Sequence, residues 1–418
     1  MLDNSIKNRD VYFFIALGLY LLAKDIEIST VYFTVQWVPM VLKILRYASY
    51  AMIILISIFL TKYSKKILIR YAVFMLLFLM VSLTAGSVTI FFNFAFIFAA
   101  KDIPFSKVIK FVVMIQAIVS ISIVLGCIGG VIEDWIYYRT ADFIRHSLGY
   151  GYPNALPSIF FYLMLAICYL MRDRFRLWHL VAAEVVNYVI FYYTNARAGF
   201  GLTAVALVVL WALKYITKPL KANHASRFLY IHSIYLIAVF AILVCYFYDP
   251  ENPLLAKANH LLSSRLVYGH NALHTYKVTL FGQNIPWVGW GGYGHTTDTL
   301  AGEYNYVDCA YIKILLDNGI LMLLAAILGY MLAANEELKK GNRYFCAALL
   351  FANIYAMIEP RYIETGFNPF VWTLSSLIMY EVCLERDGDS SRLRVHRLGG
   401  GDDSPGEYLL TGIIGRFR

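Results

Sequence analysis

The sequence predicts an all-α, polytopic integral membrane protein of about twelve transmembrane helices with one large extracytoplasmic loop. Three observations carry that prediction. Of 418 residues, 60% are hydrophobic and only 15% are charged, with a mean hydropathy of +0.61. So few charges cannot cover a water-exposed surface, so the chain is expected in a bilayer. Aromatic residues reach 16%, with 33 Tyr against 7 Trp, and many stand at the ends of apolar runs, where amphipathic rings settle among headgroups. Apolar runs close to bilayer-crossing length also recur along the whole chain.

Taken in order, the expected spans are 11–23, 44–60, 67–83, 87–100, 108–128, 155–171, 178–194, 199–215, 229–247, 308–333, 344–358 and 368–384. Residues 26–42 are too apolar for a free loop, so they either extend the first span or lie in the interface. No small-residue cleavage site follows the first span, which reads as an uncleaved helix rather than a signal peptide. With the N-terminus inside, the inner segments are 1–10, 61–70, 101–110, 172–176, 214–227, 335–343 and the chain from 385. They hold most of the 36 Lys and Arg, including YSKK, RDRFR and ELKKGNR. That asymmetry puts both termini in the cytoplasm and the 249–307 loop outside. The net charge of +9 is therefore a topology signal, and no nucleic-acid partner is expected.

The cysteines Cys127, Cys168, Cys245, Cys309, Cys346 and Cys383 lie in or beside apolar runs and form no C-x-x-C pair, so no zinc site or disulfide framework is expected. No internal repeat stands out. The membrane domain is expected over 1–386. From Asp387 the composition turns rich in Gly, Arg and Asp, which reads as a disordered cytoplasmic tail over 387–418.

The 249–307 loop is the one long hydrophilic excursion, and the candidate chemistry gathers in or near it. Shorter outer segments are 129–154, the turn TNARAGF (194–200) and EPRYIETGFNP (359–369). Arg197, in TNARAGF, reads either as an arginine reaching up to the lipid interface or as a phosphate clamp, because a planar guanidinium matches oxyanions. Arg265 lies in a segment with helically spaced apolar positions from Leu255, which predicts an amphipathic helix on the outer surface, with Gly269 as its breaking point. Arg265 is the stronger ligand candidate there. His270, His274 and Lys277 share a face that reads as a polar surface against headgroups, with metal binding as the weaker alternative. In GWGGYGHTTDT (289–299), His295 reads as a general base or a plain loop residue, and Asp298 as a substrate contact. The glycines imply tight turns or a close backbone approach to a ligand, without the G-K-[ST] of a P-loop. Asp308 opens the next span as a helix cap or as a base at the membrane face. Tyr311 follows it as a possible substrate contact, and Lys313 and Asp317 are spaced to pair on one helix. Arg361, between Glu359 and Glu364, is either a local ion-pair partner or a substrate ligand.

An arginine in a short outer turn, then a long outer loop opening with SSRLVYGHNAL and returning through GWGGYG to YVDCAYIKILLDNGIL, resembles the bacterial O-antigen and exopolysaccharide polymerases of the Wzy type. More distantly it resembles their relatives, the O-antigen ligases. The resemblance covers roughly 150–335. It implies a GT-C-like glycosyltransferase that needs no metal or other cofactor, in the bacterial inner membrane. The family's two loop arginines map onto Arg197 and Arg265, which would hold the lipid pyrophosphate. Ligases carry a His-Asn pair where this chain has Asp308-Cys309, which favours the polymerases. The implied reaction transfers a growing glycan from undecaprenyl pyrophosphate onto the next lipid-linked repeat unit, with Asp308 or His295 as base. Implied partners are those lipid-linked oligosaccharides, the bilayer, a chain-length regulator and a flippase. Rival expectations are ligase-type transfer, a polysaccharide flippase or transporter, and a non-catalytic scaffold. Against a transporter, the two halves of the chain differ and the polar residues gather outside.

Overall fold

A computed structural model describes residues 2–140, 143–215, 224–289, 304–387 and 390–398, and these are mostly helical. The chain opens with α1 (Leu2–Glu27), the short α2 (Thr30–Thr34) and α3 (Val38–Leu55), which runs into a π turn at Ile56–Leu60. Next come α4 (Lys65–Thr84), α5 (Thr89–Ala99), α6 (Phe105–Ile128) and an antiparallel hairpin of β1 (Ile136–Thr140) and β2 (Phe143–His146). Four helices follow: α7 (Ala155–Met171), α8 (Leu177–Thr194), α9 (Arg197–Ala212) and α10 (His224–Tyr246). Within the hydrophilic loop lie α11 (Pro253–Leu261) and α12 (Arg265–Thr275). The chain returns through α13 (Ala310–Asp317), α14 (Gly319–Lys339) and α15 (Arg343–Tyr355). It then passes a 3-10 turn (Pro369–Ser375), α16 (Ser376–Met379) and a second hairpin, β3 (Tyr380–Asp387) with β4 (Ser390–Arg397).

Among the described residues, seven helical stretches are long and apolar enough to cross a membrane: Val38–Leu60, Lys65–Thr84, Phe105–Ile128, Ala155–Arg174, Arg197–Tyr215, Arg227–Tyr246 and Gly319–Lys339. Phe59, Leu83, Ile128 and Phe240 stand exposed on them, as lipid-facing side chains do and water-facing ones rarely do. The other five expected spans fall on helices that are shorter or more polar. Helix α1 carries Arg9, Asp10, Lys24, Asp25 and Glu27, α8 carries His179, Glu184 and Asn187, and α5 has only 11 residues. Helix α15 has 13 residues, and the run expected at 368–384 ends its helical part at Met379 and continues as β3.

Three further expectations are corrected. The tail does not turn irregular at Asp387, because β4 pairs with β3 in register from Asp387↔Ser390 to Tyr380↔Arg397; residues 399–418 lie outside the described residues. The loop helix breaks at Ser263 and Ser264, both at positive φ, and not at Gly269. Gly269 lies inside α12, where an added Cβ would come within 2.7 Å of Cys245 Sγ, so its smallness lets α12 approach α10. The run at 308–333 is two helices, α13 and α14, parted at Asn318 and Gly319.

That last break has a specific cause. Residues 279–283 of the loop cross it and bond its freed backbone groups: Ile320 N–H donates to Thr279 O at 3.0 Å, and Gln283 N–H to Asp317 O at 3.2 Å. Gly282 (φ +87) and Gly319 (φ +85) face each other there, and an added Cβ on Gly319 would lie 2.4 Å from Leu280 O. The loop is thereby stitched into the helix bundle.

Arg9 pairs with Asp102 at 3.1 Å, and Arg343 with Asp173 at 2.8 Å. Residues from the segments 129–154, 194–200, 249–307 and 359–369 line one cavity, described below.

Replacing Gly319 by Ala combines an unfavourable φ with a backbone collision, whereas Gly341→Ala carries only the φ cost, since nothing lies within 4 Å. Gly341→Ala is expected to cost about 1 kcal/mol. Thermal melts in detergent should show a much larger fall for Gly319→Ala, with lower folded yield; equal falls would contradict the stitched break.

Candidate functional site

The site starts with Arg197. Helix α8 ends at Thr194, and Asn195 takes the left-handed conformation (φ +48) that asparagine tolerates, so the chain reverses at once into α9. Arg197 is the first residue of α9, which has no side-chain cap, and its Nε donates to Asn195 Oδ1 at 3.2 Å. Small residues follow, Ala198 and Gly199, so the uncapped helix start can come close to whatever it faces.

Arg265 repeats this arrangement. Ser263 and Ser264 turn the chain at the end of α11, and Asn259 Oδ1 accepts from the backbone N–H groups of Leu266 and Val267 at 3.1 and 3.2 Å. Arg265 is thus the first residue of α12, held over Leu262 O by an Nη1 bond of 3.1 Å. Its Nε lies 3.0 Å from Asp308 Oδ2, an ion pair whose N–H is not directed along the contact. The two side chains are 15% and 25% exposed, so the pair is largely desolvated but still reachable. Burial works to lower the Arg265 pKa, and the facing Asp308 and Glu359 outweigh it, holding it above the ordinary arginine range.

Asp308 does not cap α13. The residue at the cap position is Cys309, and Ala310 N–H donates instead to Ala356 O at 2.8 Å. Of the two readings of Asp308, the helix cap is therefore the one the geometry removes.

Arg197, Arg265 and Asp308 line one cavity of about 320 Å³, together with Arg145, Tyr137, Tyr152, Tyr304 and Glu359. Arg145 was not singled out from sequence. It sits opposite Tyr137 in the β1–β2 hairpin, its Nε donates to Thr194 O at 2.6 Å, and its Nη2 donates to Asn154 Oδ1 at 2.6 Å. It therefore caps the end of α8 while presenting charge to the cavity. The signal that marks Arg197, a guanidinium in a short segment between apolar runs, also marks Arg145. Glu359 is the second missed residue. It is 5% exposed, accepts from Ser158 Oγ at 2.6 Å and lies 3.3 Å from Arg361 Nη1. Burial pushes its carboxyl above the usual range, with Arg361 and Ser158 acting the other way.

The remaining candidates lie elsewhere. Arg361 pairs with Glu359 and covers the Phe367 ring at 4.3 Å, without lining the cavity. Tyr311 is buried in the core and donates to Asn353 O at 2.8 Å, which corrects its reading as a substrate contact. Lys313 and Asp317 do pair, at 3.0 Å. The His270 and His274 rings lie 4.1 Å apart and tilted by 32°, each with Nδ1 against backbone carbonyl oxygen. His295 and Asp298 lie outside the described residues.

Compared with protein families, with curated proteins and with solved structures, the chain matches none of them. What the cavity can do chemically follows from its lining. Three guanidinium groups and an uncapped helix start favour a multiply charged anion, and the flanking tyrosines offer flat faces and hydroxyls to a polar ligand such as a sugar.

Asp308→Ala would strand Arg265 in a largely dry setting, at an expected cost of about 2–4 kcal/mol. Arg197→Ala, at an exposed position, should cost well under 1 kcal/mol of stability. Paired thermal melts in detergent check this; similar melting temperatures for the two variants would contradict the assignment of Asp308 as the partner of Arg265.

Proposed function

We propose that the protein is a polysaccharide polymerase of the Wzy type. It would transfer a growing glycan from undecaprenyl pyrophosphate onto the next lipid-linked repeat unit, at the outer face of the bacterial cytoplasmic membrane. The reading includes a GT-C-like bundle of about twelve crossings with both termini cytoplasmic. One observation carries it: Arg197 and Arg265, far apart in sequence, line the same cavity as Asp308, with Arg145 beside them.

The chemistry follows from charge. A glycan leaving undecaprenyl pyrophosphate leaves behind a growing negative charge on the lipid diphosphate. Fixed arginines stabilise that charge more in the transition state than in the ground state, and this difference is what raises the rate. Arg265 is suited to the task because its guanidinium is already oriented and desolvated, with its pairing to Asp308 balancing it while no anion is bound. The acceptor sugar must lose a hydroxyl proton to a carboxylate or imidazole base. Tyr137, Tyr138, Tyr152, Tyr268 and Tyr304 would flank the sugars.

Charge-preserving changes give the sharpest test. Arg197→Lys and Arg265→Lys keep the charge and lose the planar fork, so each should lower polymer formation by about 10²-fold or more. The readout is the polysaccharide ladder of complemented cells lacking the gene, at matched protein level. Full-length ladders from both Lys variants and both Ala variants would overturn the reading.

A further inference from the structure

The cavity holds two carboxylates in opposite settings. Asp308 is balanced by Arg265 at 3.0 Å. Glu359 is more deeply buried, on the segment after α15, opposite in chain order to the loop that brings Arg265. Its Oε2 accepts from Ser158 Oγ at 2.6 Å, and Ser158 Oγ in turn lies 3.0 Å from Tyr355 Oη. Its Oε1 has Arg361 Nη1 at 3.3 Å but accepts no directed hydrogen bond. One oxygen is thus fixed and the other has lone pairs to spare. The two carboxylates are close enough for the charge on Asp308 to oppose ionisation of Glu359. Two acids held in such different surroundings are the arrangement by which active sites separate an acid–base group from an electrostatic one.

From this juxtaposition we infer that Glu359 is the general base of the cavity, and that Asp308 orients and balances Arg265. The inference rests on the glycosyl-transfer reading above and names the residue that takes the proton. In that step the acceptor hydroxyl oxygen forms a bond to the anomeric carbon of the donor glycan. The bond from that carbon to the diphosphate oxygen breaks, the electron pair leaves with the lipid diphosphate, and the hydroxyl proton passes to Glu359. Asp308 is poorly placed for this role, because it sits against the arginine that meets the leaving group, where a diphosphate would repel it. Glu359 is held by α7 through Ser158 and by its own segment through Arg361. The groups that face it are Arg361, Ser158, Tyr355, Asp308 and Arg265, with Tyr162 of α7 and Tyr306 of the loop. A buried carboxylate with a raised pKa is also a stronger base once ionised, which is what proton removal from a sugar hydroxyl requires.

The test uses the full-length protein in liposomes, with the lipid-linked repeat unit extracted from cells lacking the gene. Glu359→Gln should lower the rate of polymer formation by about 10²–10⁴-fold at unchanged binding of the lipid-linked unit. Asp308→Asn should act mainly on KM, through a loosened Arg265. Glu359→Asp should keep part of the rate and move the acid limb of the pH profile, which covers the case in which the Gln variant folds poorly. A Glu359→Gln rate within a few-fold of wild type, or an acid limb unmoved in Glu359→Asp, would overturn the inference. If the Arg197 and Arg265 variants abolish polymer while Glu359→Gln does not, the base assignment alone fails. If the arginine variants also leave polymer intact, the glycosyl-transfer reading fails with it.

Discussion

Inside a bundle built mostly of apolar helices, a charge must find a partner or a ligand, and the Arg265–Asp308 pair is where that constraint shapes the molecule. Arg265 begins α12 and Asp308 stands just before α13, so their attraction joins the outgoing and returning arms of the long loop. Such a pair adds little net stability, because desolvation consumes most of its Coulomb energy. It does fix geometry: a buried guanidinium with Asp308 and Glu359 facing it is oriented before any ligand arrives. Around it, Arg145 is held by Thr194 and Asn154, and Glu359 by Ser158 and Arg361. The charged groups of the cavity are therefore held by contacts from several segments of the chain.

Broken helices make this possible. A helix in a bilayer normally satisfies all its backbone groups internally, so a break must be repaired by something nearby. At Asn195 the repair is the arginine of the β1–β2 hairpin, at Ser263 and Ser264 it is the Asn259 side chain, and at Asn318 and Gly319 it is the loop segment 279–283. Two of these breaks start a new helix with an arginine in first position, facing the same cavity. Local chain reversal and anion-binding potential thus come from the same feature.

Much of this was legible in the sequence. Arg197 stood out because a guanidinium in a short turn between apolar runs needs a partner or a ligand, Arg265 because it lies in the long hydrophilic loop, and Asp308 because it opens an apolar run. Span positions were legible where apolar runs were long, as at 67–83 and 108–128. Less was legible where tertiary contacts override local pattern. Asn318-Gly319 is a turn-favouring pair, but the apolar run around it hid the break, whose backbone groups are satisfied by residues 279–283 crossing there. Gly269 looked like a helix breaker and is instead a contact point, because Cys245 lies against it. Glu359 was masked by Arg361, its sequence neighbour, which suggested a local ion pair; only the fold reveals that the same carboxylate faces the cavity. Tyr311 erred the other way, since a tyrosine near a span end reads as interfacial until its burial against Asn353 is seen.

The proposed activity joins lipid-linked repeat units into polymer in this cavity. The most direct measurement is the state of the lipid-linked intermediates in cells lacking the gene, resolved by size and by the membrane face they occupy. If that activity is right, single repeat units on undecaprenyl pyrophosphate accumulate at the outer face, with polymer absent. Repeat units held at the inner face would contradict it, because the protein would then move the lipid-linked unit rather than extend it.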